Sequence, residues 1–371
     1  MNNVKVCHFT SAHKSNDIRI FHKECVSLAE NGYEVFLVAA NSEEKKVNGV
    51  TIINVERPHS GRFTRMFKTS KAVYKKAKSI DASVYHFHDP ELLRFALRLK
   101  RSGKKVIYDA HEDVPRQIMA KYWIPKFLRK IISIVIEKYE NYVAKRIHAV
   151  IVSTPHIRER FKKINMNTID VCNYPMVKEL VDYTDWSEKK DEICYVGCIS
   201  EVRGINQLMQ ALGMLPSIRL NLAGNFSTKE LELSITAMEN WKDVSYYGYV
   251  DREELLTIFQ RSKVGIVTLL STPNHLDSLP IKMFEYMSAG IPIVCSNFPL
   301  WEEIVKNNEC GICVDPEKPK EISEVIKSLL NNPTLSNQLG KNGRKAVSEK
   351  YNWDIEKQKL LEVYENFNLN D

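Results

Sequence analysis

The sequence predicts an α/β protein made of two Rossmann-like halves, each built around a parallel sheet. Three observations support this fold class. The chain has 371 residues, which exceeds the usual size of a single domain. In both halves short apolar runs alternate with amphipathic segments, as in successive βαβ units. A polar stretch without periodicity, between Pro175 and Asp191, separates the two regions. We therefore predict domains at residues 1–178 and 190–351, joined by a linker.

The elements of the first half follow in order from these patterns. Runs rich in β-branched and aromatic residues predict strands at 4–9, 34–40, 84–87, 105–108 and 149–153. Apolar residues at helical spacing predict helices at 21–31, 63–78, 91–102 and 126–147. Strands that alternate with helices imply right-handed crossovers and a parallel sheet.

The second half repeats the alternation without repeating the sequence. Apolar runs predict strands at 193–197, 220–224, 245–248, 264–267, 293–295 and 312–314. The two halves are therefore expected to be similar in architecture and not in sequence.

The predicted helix at 126–147 carries a broad apolar stripe. The stripe comprises Phe127, Leu128, Ile131, Ile132, Val135, Tyr139 and Tyr142. We expect this stripe to pack against its own domain. Basic residues elsewhere on the helix, preceded by Tyr122 and Trp123, also suit an anionic membrane surface. A second basic surface is predicted from Arg62 to Lys78, interleaved with Phe63, Met66 and Phe67.

Charge is distributed unevenly along the chain. Residues 1–180 hold 33 Lys and Arg against 18 Asp and Glu, a net charge of +15, and the remainder carries −8. The first half is therefore expected to meet an anionic partner, such as the inner face of the cytoplasmic membrane. Nucleic acid is not expected, because no recognition motif accompanies the charge.

Other compositional features bear on location and on metal binding. No apolar run approaches the roughly 18–20 residues that span a bilayer, and a strand-like segment at Val4 takes the place of a secretory signal. We expect a cytoplasmic protein. Eight cysteines lie mostly in strand-like runs, as small buried residues in a reducing compartment. Cys310 and Cys313 have a zinc-like spacing without a convincing second pair, so no metal site is predicted.

The segment from Asp277 to Pro292 holds the most informative motif. Pro280 suits the first position of a helix that Gly290 closes, so the amides of Ser278, Leu279 and Ile281 are expected to be unpaired and to attract phosphate. Lys282 and Glu285, three residues apart, share one helix face, and the glutamate can accept hydrogen bonds from a ribose diol. Asp277 stays in the loop. An ordinary capped amphipathic helix is the alternative for any isolated Lys/Glu pair.

This segment resembles the acid, seven residues, glutamate signature of retaining glycosyltransferases of family four. The resemblance extends along nearly the whole chain. Within the family, the chain is similar to a bacterial surface-polysaccharide subgroup of the O-antigen and capsule type. It implies the GT-B fold, in which two Rossmann-like domains face a central cleft and C-terminal helices, here about 352–371, cross back to the first domain. Asp277 stands where the family carries a glutamate.

The resemblance implies a donor site in the second half. Its expected residues are Gly197, Arg203, Gly224, Tyr249, Val250, Ser278, Leu279, Lys282 and Glu285. Arg203 with Gly204 fits the second basic element of the family, while Cys198 replaces the first arginine. The segment around Tyr249 is expected to lie beside the nucleobase. A solvated helix cap at Arg203 and a simple turn at Gly224 are the plainer alternatives.

In the first half, polar clusters follow the predicted strands. The acceptor-side candidates are His13, Asp17, Arg19, His88, Asp89 and Glu112. His111 matches the family histidine that contacts the donor sugar, and Asp109 is placed to hold an imidazole. With Asp277 and Glu285, His111 completes the predicted catalytic set. A helix N-cap is an adequate alternative role for Asp17.

The implied activity is retaining transfer of a sugar from a nucleotide-sugar donor to a glycan or polyprenyl-diphosphate-linked acceptor, in cell-surface polysaccharide or lipopolysaccharide synthesis. No Asp-x-Asp motif occurs, so a metal-independent hexosyltransferase without cofactor is predicted. Two alternatives stay open: a non-hydrolysing nucleotide-sugar epimerase of the same fold, and a catalytically weak nucleotide-binding partner of another transferase.

Overall fold

The structure, a computed structural model, describes residues 4–56, 61, 64–121, 124–176, 186–273 and 275–367. It divides into two compact units. Unit 1 comprises Met1–Asn173 and Trp353–Asp371, and unit 2 comprises Tyr174–Asn352. Most of the predicted linker, and the residues Arg62, Phe63, Tyr122 and Trp123, lie outside the described ranges.

Unit 1 is built on an eight-stranded sheet with the order β3-β4-β2-β1-β5-β6-β7-β8. The strands are β1 Lys5–Thr10, β2 Glu34–Ala40, β3 Lys45–Val47, β4 Val50–Val55, β5 Val84–Phe87, β6 Lys105–Ala110, β7 Ala149–Val152 and β8 Thr168–Asp170. The pairing of β3 with β4 is antiparallel, and the other pairs are parallel. Phe9, Phe87 and Tyr108 form part of a buried apolar core beside the sheet. The parallel sheet is confirmed, although β3, β4 and β8 were missed.

The helices of unit 1 alternate with its strands along most of the chain. A π-helix, Ile18–Cys25, continues as α1 Val26–Glu30, and a second π-helix, Arg65–Thr69, continues as α2 Ser70–Ser79. The other helices of unit 1 are α3 Leu93–Arg101, α4 Val114–Ala120, α5 Lys126–Ala144, α6 Pro155–Lys162 and the C-terminal α14 Trp353–Glu365. The first helix begins three residues before its predicted start, because the carboxylate of Asp17 accepts hydrogen bonds from the amides of Arg19 and Ile20.

The final helix, α14, belongs to unit 1. The Trp353 indole donates to Ser27 Oγ at 3.0 Å, and Glu356 accepts from the Cys172 amide at 2.7 Å. Tyr364, further along the helix, is 1% exposed. Helix α14 is therefore part of the core of unit 1.

Unit 2 is built on a six-stranded parallel sheet with the order β11-β10-β9-β12-β13-β14. Its strands are β9 Glu192–Val196, β10 Arg219–Ala223, β11 Val244–Gly248, β12 Val264–Val267, β13 Ile293–Ser296 and β14 Gly311–Val314. Its helices are α7 Ile205–Leu212, α8 Lys229–Thr236, α9 Arg252–Arg261, α10 Ile281–Ser288, α11 Pro299–Asn308, α12 Pro319–Asn331 and α13 Pro333–Glu349. All six predicted strands are confirmed.

Both sheets reverse their strand order at one point. In unit 2 the order runs outward in both directions from β9 and β12, as in a dinucleotide-binding Rossmann sheet, and in unit 1 the reversal lies between β1 and β5. Ligands of open α/β sheets bind at the carboxyl ends of the strands beside such a reversal. The polar loops after β1, β5 and β9 lie at these positions.

The expectation for the apolar stripe on α5 is wrong. Phe127 is 74% exposed, Ile131 58% and Val135 59%, and Tyr139 and Tyr142 are also exposed. The side of α5 that packs in unit 1 instead carries Ser133, Glu140 and Val143. Glu140 is tolerated there because it binds Tyr108 and Arg160, at 2.9 and 2.6 Å. The stripe is therefore a solvent-facing apolar surface.

Two further expectations concern burial and membrane spans. Cys7, Cys25, Cys172, Cys194, Cys295 and Cys310 are buried, as predicted, while Cys198 is exposed. Among the described residues, the structure contains no helix with the length and apolar character required to cross a membrane.

Candidate functional site

In unit 2, glycines bring the carboxyl ends of three strands into direct contact. Gly197, after β9, and Gly224, after β10, have φ angles of +136° and +133°, which disfavour any other residue. A Cβ on Gly224 would collide with the carbonyl oxygen of Gly197. The Gly224 amide donates to Gly248 at 2.6 Å, at the end of β11. The Gly197 amide is paired as well, because it donates to the Ala223 carbonyl at 2.9 Å.

Arg203 lies beside this glycine contact. It closes a 3₁₀ turn that Gly204 ends in a left-handed conformation before α7. A Cβ on Gly197 would lie 3.3 Å from Arg203 Nη1. Tyr195 fixes the same loop, since its hydroxyl donates to the Cys198 carbonyl at 2.9 Å. The structure therefore brings Arg203 and Gly197 together, with Cys198 exposed in the intervening turn.

On α10 the Glu285 carboxylate joins two cations. It accepts from Lys282 Nζ at 2.7 Å and from Arg252 Nη1 at 3.0 Å, and the residue is 6% exposed. The next residue, Tyr286, anchors the helix to the end of β9 by accepting from the Val196 amide at 2.9 Å. A carboxylate with two cations thus lies against the strand that leads into the glycine loop.

Arg252 was missed by the sequence analysis. It is the first residue of α9, and Lys282 is the second residue of α10, so both cations lie at the positive ends of helix dipoles. A cation at that position is unfavourable by about 0.3–1 kcal/mol, which Glu285 offsets. A basic residue directly after the capping residue Asp251 was the available signal.

The loop before α10 differs in part from its prediction. Pro280 is the N-cap rather than the first helical residue. The Ser278 amide is already paired, because it donates to the His275 carbonyl at 3.2 Å, and the Ser278 carbonyl accepts from Trp301 at 2.7 Å. Ser278 therefore holds the loop and does not offer a free amide. Within the described ranges, the amides of Leu279 and Ile281 have no recorded backbone partner.

Asp277, Tyr249 and Val250 complete the predicted set in unit 2. Asp277 is exposed in the loop before α10. Tyr249 follows Gly248 and is 82% exposed, while Val250 is half-buried. Because Gly248 contacts Gly224, the Tyr249 segment lies beside the glycine contact.

In unit 1, Asp109 at the end of β6 is the centre of a buried ionic cluster. Arg19 donates to it through Nε and Nη2 at 3.0 and 2.9 Å, and His111 Nε2 and His88 Nδ1 lie 3.0 and 3.3 Å from Oδ2. Burial favours the neutral carboxyl, but the charge of Arg19 and the hydrogen bonds from the imidazoles hold the pKa of Asp109 well below its usual value. Asp109 is therefore ionised and fixes His111 through Nε2, which leaves Nδ1 as the ring nitrogen that can meet a ligand.

Asp89, after β5, organises the loop that follows β1. Its Oδ2 accepts from the hydroxyl of Thr10 at 2.8 Å and from the amide of Ser11 at 2.5 Å. The same loop carries His13, whose Nδ1 lies 3.2 Å from Asp17 and whose Nε2 lies 3.7 Å from Asp89. Burial lowers the pKa of His13, but the bond to Asp17 and the nearby carboxylates raise it overall.

The structure brings some of the predicted residues of unit 1 together and leaves others apart. The rings of His13 and His111 lie 5.0 Å apart, so the loop after β1 and the end of β6 meet. Glu112 is exposed and bonds to Gln117 instead of joining this cluster. Arg19 is buried inside the cluster, and its Nη1 donates to the Val171 carbonyl at 2.6 Å.

A cavity of about 700 Å³ opens beside this loop in unit 1. Its lining includes Ser11, His13, Asn16, Asn41 and Lys45. The volume is within the usual range for small-ligand sites. The polar lining suits a hydroxyl-rich ligand, because each of these side chains can donate or accept a hydrogen bond.

Two family models match the chain in tandem. The model described as Glycosyltransferase Family 4 matches residues 20–172, and the model described as Glycosyl transferases group 1 matches residues 177–346. The first match lies in unit 1, and the second lies in unit 2. Together they extend over most of the sequence.

Individual relatives are distant. The chain is 26% identical over 180 residues to the capsular polysaccharide biosynthesis glycosyltransferase CapM of Staphylococcus aureus, covering 47% of this chain and 46% of CapM. It is 22% identical over 178 residues to a glycogen synthase of Mycobacterium tuberculosis, covering 47% of this chain and 42% of that protein. These matches therefore span less than half the length of the curated relatives.

Among solved structures, the chain is similar over its full length to a sucrose-phosphate synthase from Thermosynechococcus elongatus, with a TM-score of 0.80, 17% identity and full coverage of both chains. It is also similar to Anabaena HepE, crystallised with UDP, with a TM-score of 0.74, 12% identity and coverage of 98% and 100%. At such identities the likeness shows the fold. With the two family matches, it shows that the chain belongs to the GT-B glycosyltransferases.

Proposed function

We propose that the protein transfers a sugar, with retention of configuration, from a nucleotide-sugar donor to a glycan or polyprenyl-diphosphate-linked acceptor in cell-surface polysaccharide synthesis. The observation that carries this proposal is the arrangement of Glu285, Lys282 and Arg252 against the strand that leads into the glycine loop. Relatives named for capsule and O-antigen synthesis, from Staphylococcus aureus and Escherichia coli, support the polysaccharide role.

Donor binding follows from the chemistry of unit 2. A diphosphate needs cations and amides. Arg203 and Lys282 can provide the cations, and the amides of Leu279 and Ile281 can donate. A ribose needs an acceptor for its two hydroxyls, and the two oxygens of the Glu285 carboxylate can accept from both. On donor binding, Lys282 and Arg252 turn toward phosphate oxygens while Glu285 accepts from the diol.

The transfer itself requires little from a protein base. The bond between the anomeric carbon and the diphosphate oxygen breaks, a bond from that carbon to the acceptor oxygen forms, and the acceptor proton passes to the leaving phosphate. Stabilising the leaving diphosphate and positioning the two substrates are therefore the main contributions of the protein. No metal ion is required for this step, because Arg203 and Lys282 supply positive charge.

In unit 1 we assign His111 to a hydroxyl of the donor sugar and the His13 loop to the acceptor. Asp109 holds His111 Nε2, so that Nδ1 is presented in one tautomer. His13 lines the 700 Å³ cavity, whereas Arg19 and Asp89 bind other parts of unit 1 and position the loop. Asp277, one methylene shorter than the family glutamate, is proposed to contact the transferred sugar.

Turnover of purified protein tests this function. We expect nucleoside diphosphate release from one member of a panel of nucleotide sugars in the presence of a lipid-linked glycan, and an NMR spectrum in which the product has the anomeric configuration of the donor. Release with inversion would contradict retention, and interconversion of donor epimers without transfer would favour the epimerase alternative. Nucleotide binding without turnover of any donor would favour the binding-partner alternative.

We further propose that unit 1 attaches to the inner face of the cytoplasmic membrane through α5. Its exposed apolar stripe is accompanied by Lys126, Lys130 and Lys138, which are exposed and complement anionic headgroups. Such a position would bring a lipid-linked acceptor to unit 1.

Sedimentation with vesicles tests this attachment. The double change Ile131→Ser and Val135→Ser should reduce binding to phosphatidylglycerol vesicles, because the apolar area that enters the bilayer is lost. The matched control is Met166→Ser, which removes an exposed apolar residue elsewhere in unit 1. Equal binding of the wild type to neutral and anionic vesicles, or no loss in the double variant, would contradict the proposal.

A further inference from the structure

A second cluster lies beneath the ionic centre of unit 1, and glycosyl transfer does not use it. His8 in β1 pairs in register with His86 in β5, His88 follows β5, and Glu24 comes from the helix after β1. His8, His86 and Glu24 have no exposed surface, and His88 is 3% exposed. Four residues with metal-ligating groups are thus buried where two central strands meet one helix.

The ligating atoms of these residues point to one place. One nitrogen of each imidazole and one carboxylate oxygen of Glu24 all lie within 4.8 Å of one another. His8 Nδ1 is 3.0 Å from His88 Nε2 and 3.9 Å from Glu24 Oε2, and His86 Nε2 is 4.0 Å from the same oxygen. Four ligands at such separations need only small movements to surround an ion at the roughly 2.0–2.2 Å typical of zinc.

The other nitrogen of every imidazole meets an oxygen. His8 Nε2 and His86 Nδ1 lie 3.1 and 2.8 Å from the Tyr364 hydroxyl, and His88 Nδ1 lies 3.3 Å from Asp109. Metal-bound histidines are held in this way, with the outer nitrogen bonded to an oxygen that fixes the ring.

Two of the converging atoms lack any hydrogen-bond partner among the described residues, namely His86 Nε2 and Glu24 Oε2. The other oxygen of Glu24 lies 3.0 Å from Arg19. Buried polar atoms without a partner indicate a missing water molecule or ion. The four converging groups of this buried cluster are all possible metal ligands, which favours an ion.

We propose that His8, His86, His88 and Glu24 bind one Zn²⁺ ion. Imidazole nitrogens with one carboxylate are a zinc ligand set, and four protein ligands leave no open position, as in structural sites. The ion joins β1, β5 and the helix after β1, and it supports the Asp109 cluster from below through His88. No step of the proposed sugar transfer passes through the ion, so its binding can be measured without turnover.

This site could not be recognised from sequence spacing. Its ligands lie at positions 8, 24, 86 and 88, and only the last two are close in the chain. Zinc motifs are recognised by two close pairs of ligands. A zinc ion bound there would go beyond the metal-free protein that the sequence predicts.

Metal analysis of the full-length protein tests the proposal. Protein purified without an affinity tag, supplied with zinc and dialysed against metal-free buffer should retain zinc in an equimolar amount. Glu24→Gln should lose it, while His22→Gln, a change of an exposed histidine on the same helix, should retain it. Replacement by Co²⁺ should give the visible absorption of a tetrahedral site.

Tyr364→Phe gives an independent measurement that does not remove a ligand. It preserves the aromatic ring in the core but removes the oxygen that holds His8 and His86, so zinc affinity should fall roughly 10- to 100-fold, as for other outer-shell changes. Zinc should also raise, and a chelator lower, the melting temperature of the wild type. Sub-stoichiometric zinc in the wild type, with a melting temperature that neither zinc nor chelator changes, would overturn the proposal even if Glu24→Gln fails to fold.

Discussion

The two units hold their polar residues in opposite ways. In unit 1, Asp109, Arg19, His88 and Asp89 are buried and bind one another or the backbone. In unit 2 the corresponding strand ends consist of contacting glycines, and the charged groups converge on a single carboxylate, Glu285. One site is a buried network whose members bind one another, while the cations of the other are partly exposed and can turn to a ligand.

This difference indicates that the same kind of sheet supports two kinds of role. Removing a member of the network in unit 1 leaves a buried charge without its partner, so stability should suffer first. Removing a member of the Glu285 group leaves partly exposed cations, so ligand binding should suffer first. Changes in each unit can test that contrast.

The largest effect is expected for Asp109→Asn in unit 1. The change preserves the shape of the side chain but leaves the Arg19 guanidinium buried with less negative charge, which should lower the free energy of unfolding by about 3–5 kcal/mol. Urea unfolding followed by circular dichroism measures this loss. Asp81→Asn, at an exposed salt bridge of the same unit, is the control and should unfold like the wild type. A wild-type unfolding curve for Asp109→Asn would show that the ionic network around Asp109 does not stabilise unit 1.

A smaller effect is expected for Gly224→Ala in unit 2. The Cβ would collide with Gly197, and the φ of +133° is unfavourable for alanine. We expect a loss of about 1–3 kcal/mol in the stability of unit 2, together with weaker nucleotide binding because the glycine contact opens. Thermal unfolding with and without UDP measures both quantities.

The matched control for this change is Gly213→Ala. Gly213 has an ordinary φ, and a Cβ there meets its nearest atom at 3.5 Å. It should unfold and bind UDP like the wild type. If Gly224→Ala also does so, close contact between the loops after β9 and β10 is not needed for the site.

The smallest expected effect is a pH dependence of the folding stability that arises from His13. Its pKa is raised in the folded protein, so its contribution to stability is complete below the unfolded pKa of about 6.5 and is lost as pH rises through the folded pKa. Relative to His13→Gln, the wild type should therefore lose stability as pH rises above about 6.5. Urea midpoints across this range measure the difference, and parallel profiles for the two proteins would contradict a charged His13.

The sequence allowed much of unit 2 to be predicted because its signals are local. Gly197 and Gly224 follow apolar strands directly, and Lys282 and Glu285 share a helix face by spacing alone. Arg252 was missed because its partner, Glu285, lies 33 positions away. Ser278 was wrongly expected to have a free amide because the turn with His275 is not evident from residue types.

Unit 1 was predicted less completely because its contacts are long-range. Arg19 binds Asp109 across 90 positions, and Tyr364 reaches His8 across 356. The apolar stripe of α5 was assigned to the core because periodicity identifies a face but not its partner. Glu112 was grouped with His111 on proximity in the chain, whereas it pairs with Gln117.

The central claim is that unit 2 binds a nucleoside diphosphate through Glu285 and the cations beside it. Isothermal titration of the full-length protein with UDP, GDP and ADP tests it most directly. For whichever diphosphate binds, Glu285→Gln should lower the affinity roughly 10- to 100-fold, because a hydrogen bond to a charged group contributes about 1.5–3 kcal/mol, while leaving the melting temperature nearly unchanged. Glu253→Gln, an exposed change on α9, should bind as the wild type does. Equal affinity of Glu285→Gln and wild type, or no binding of any of the three by a folded wild type, would contradict the claim.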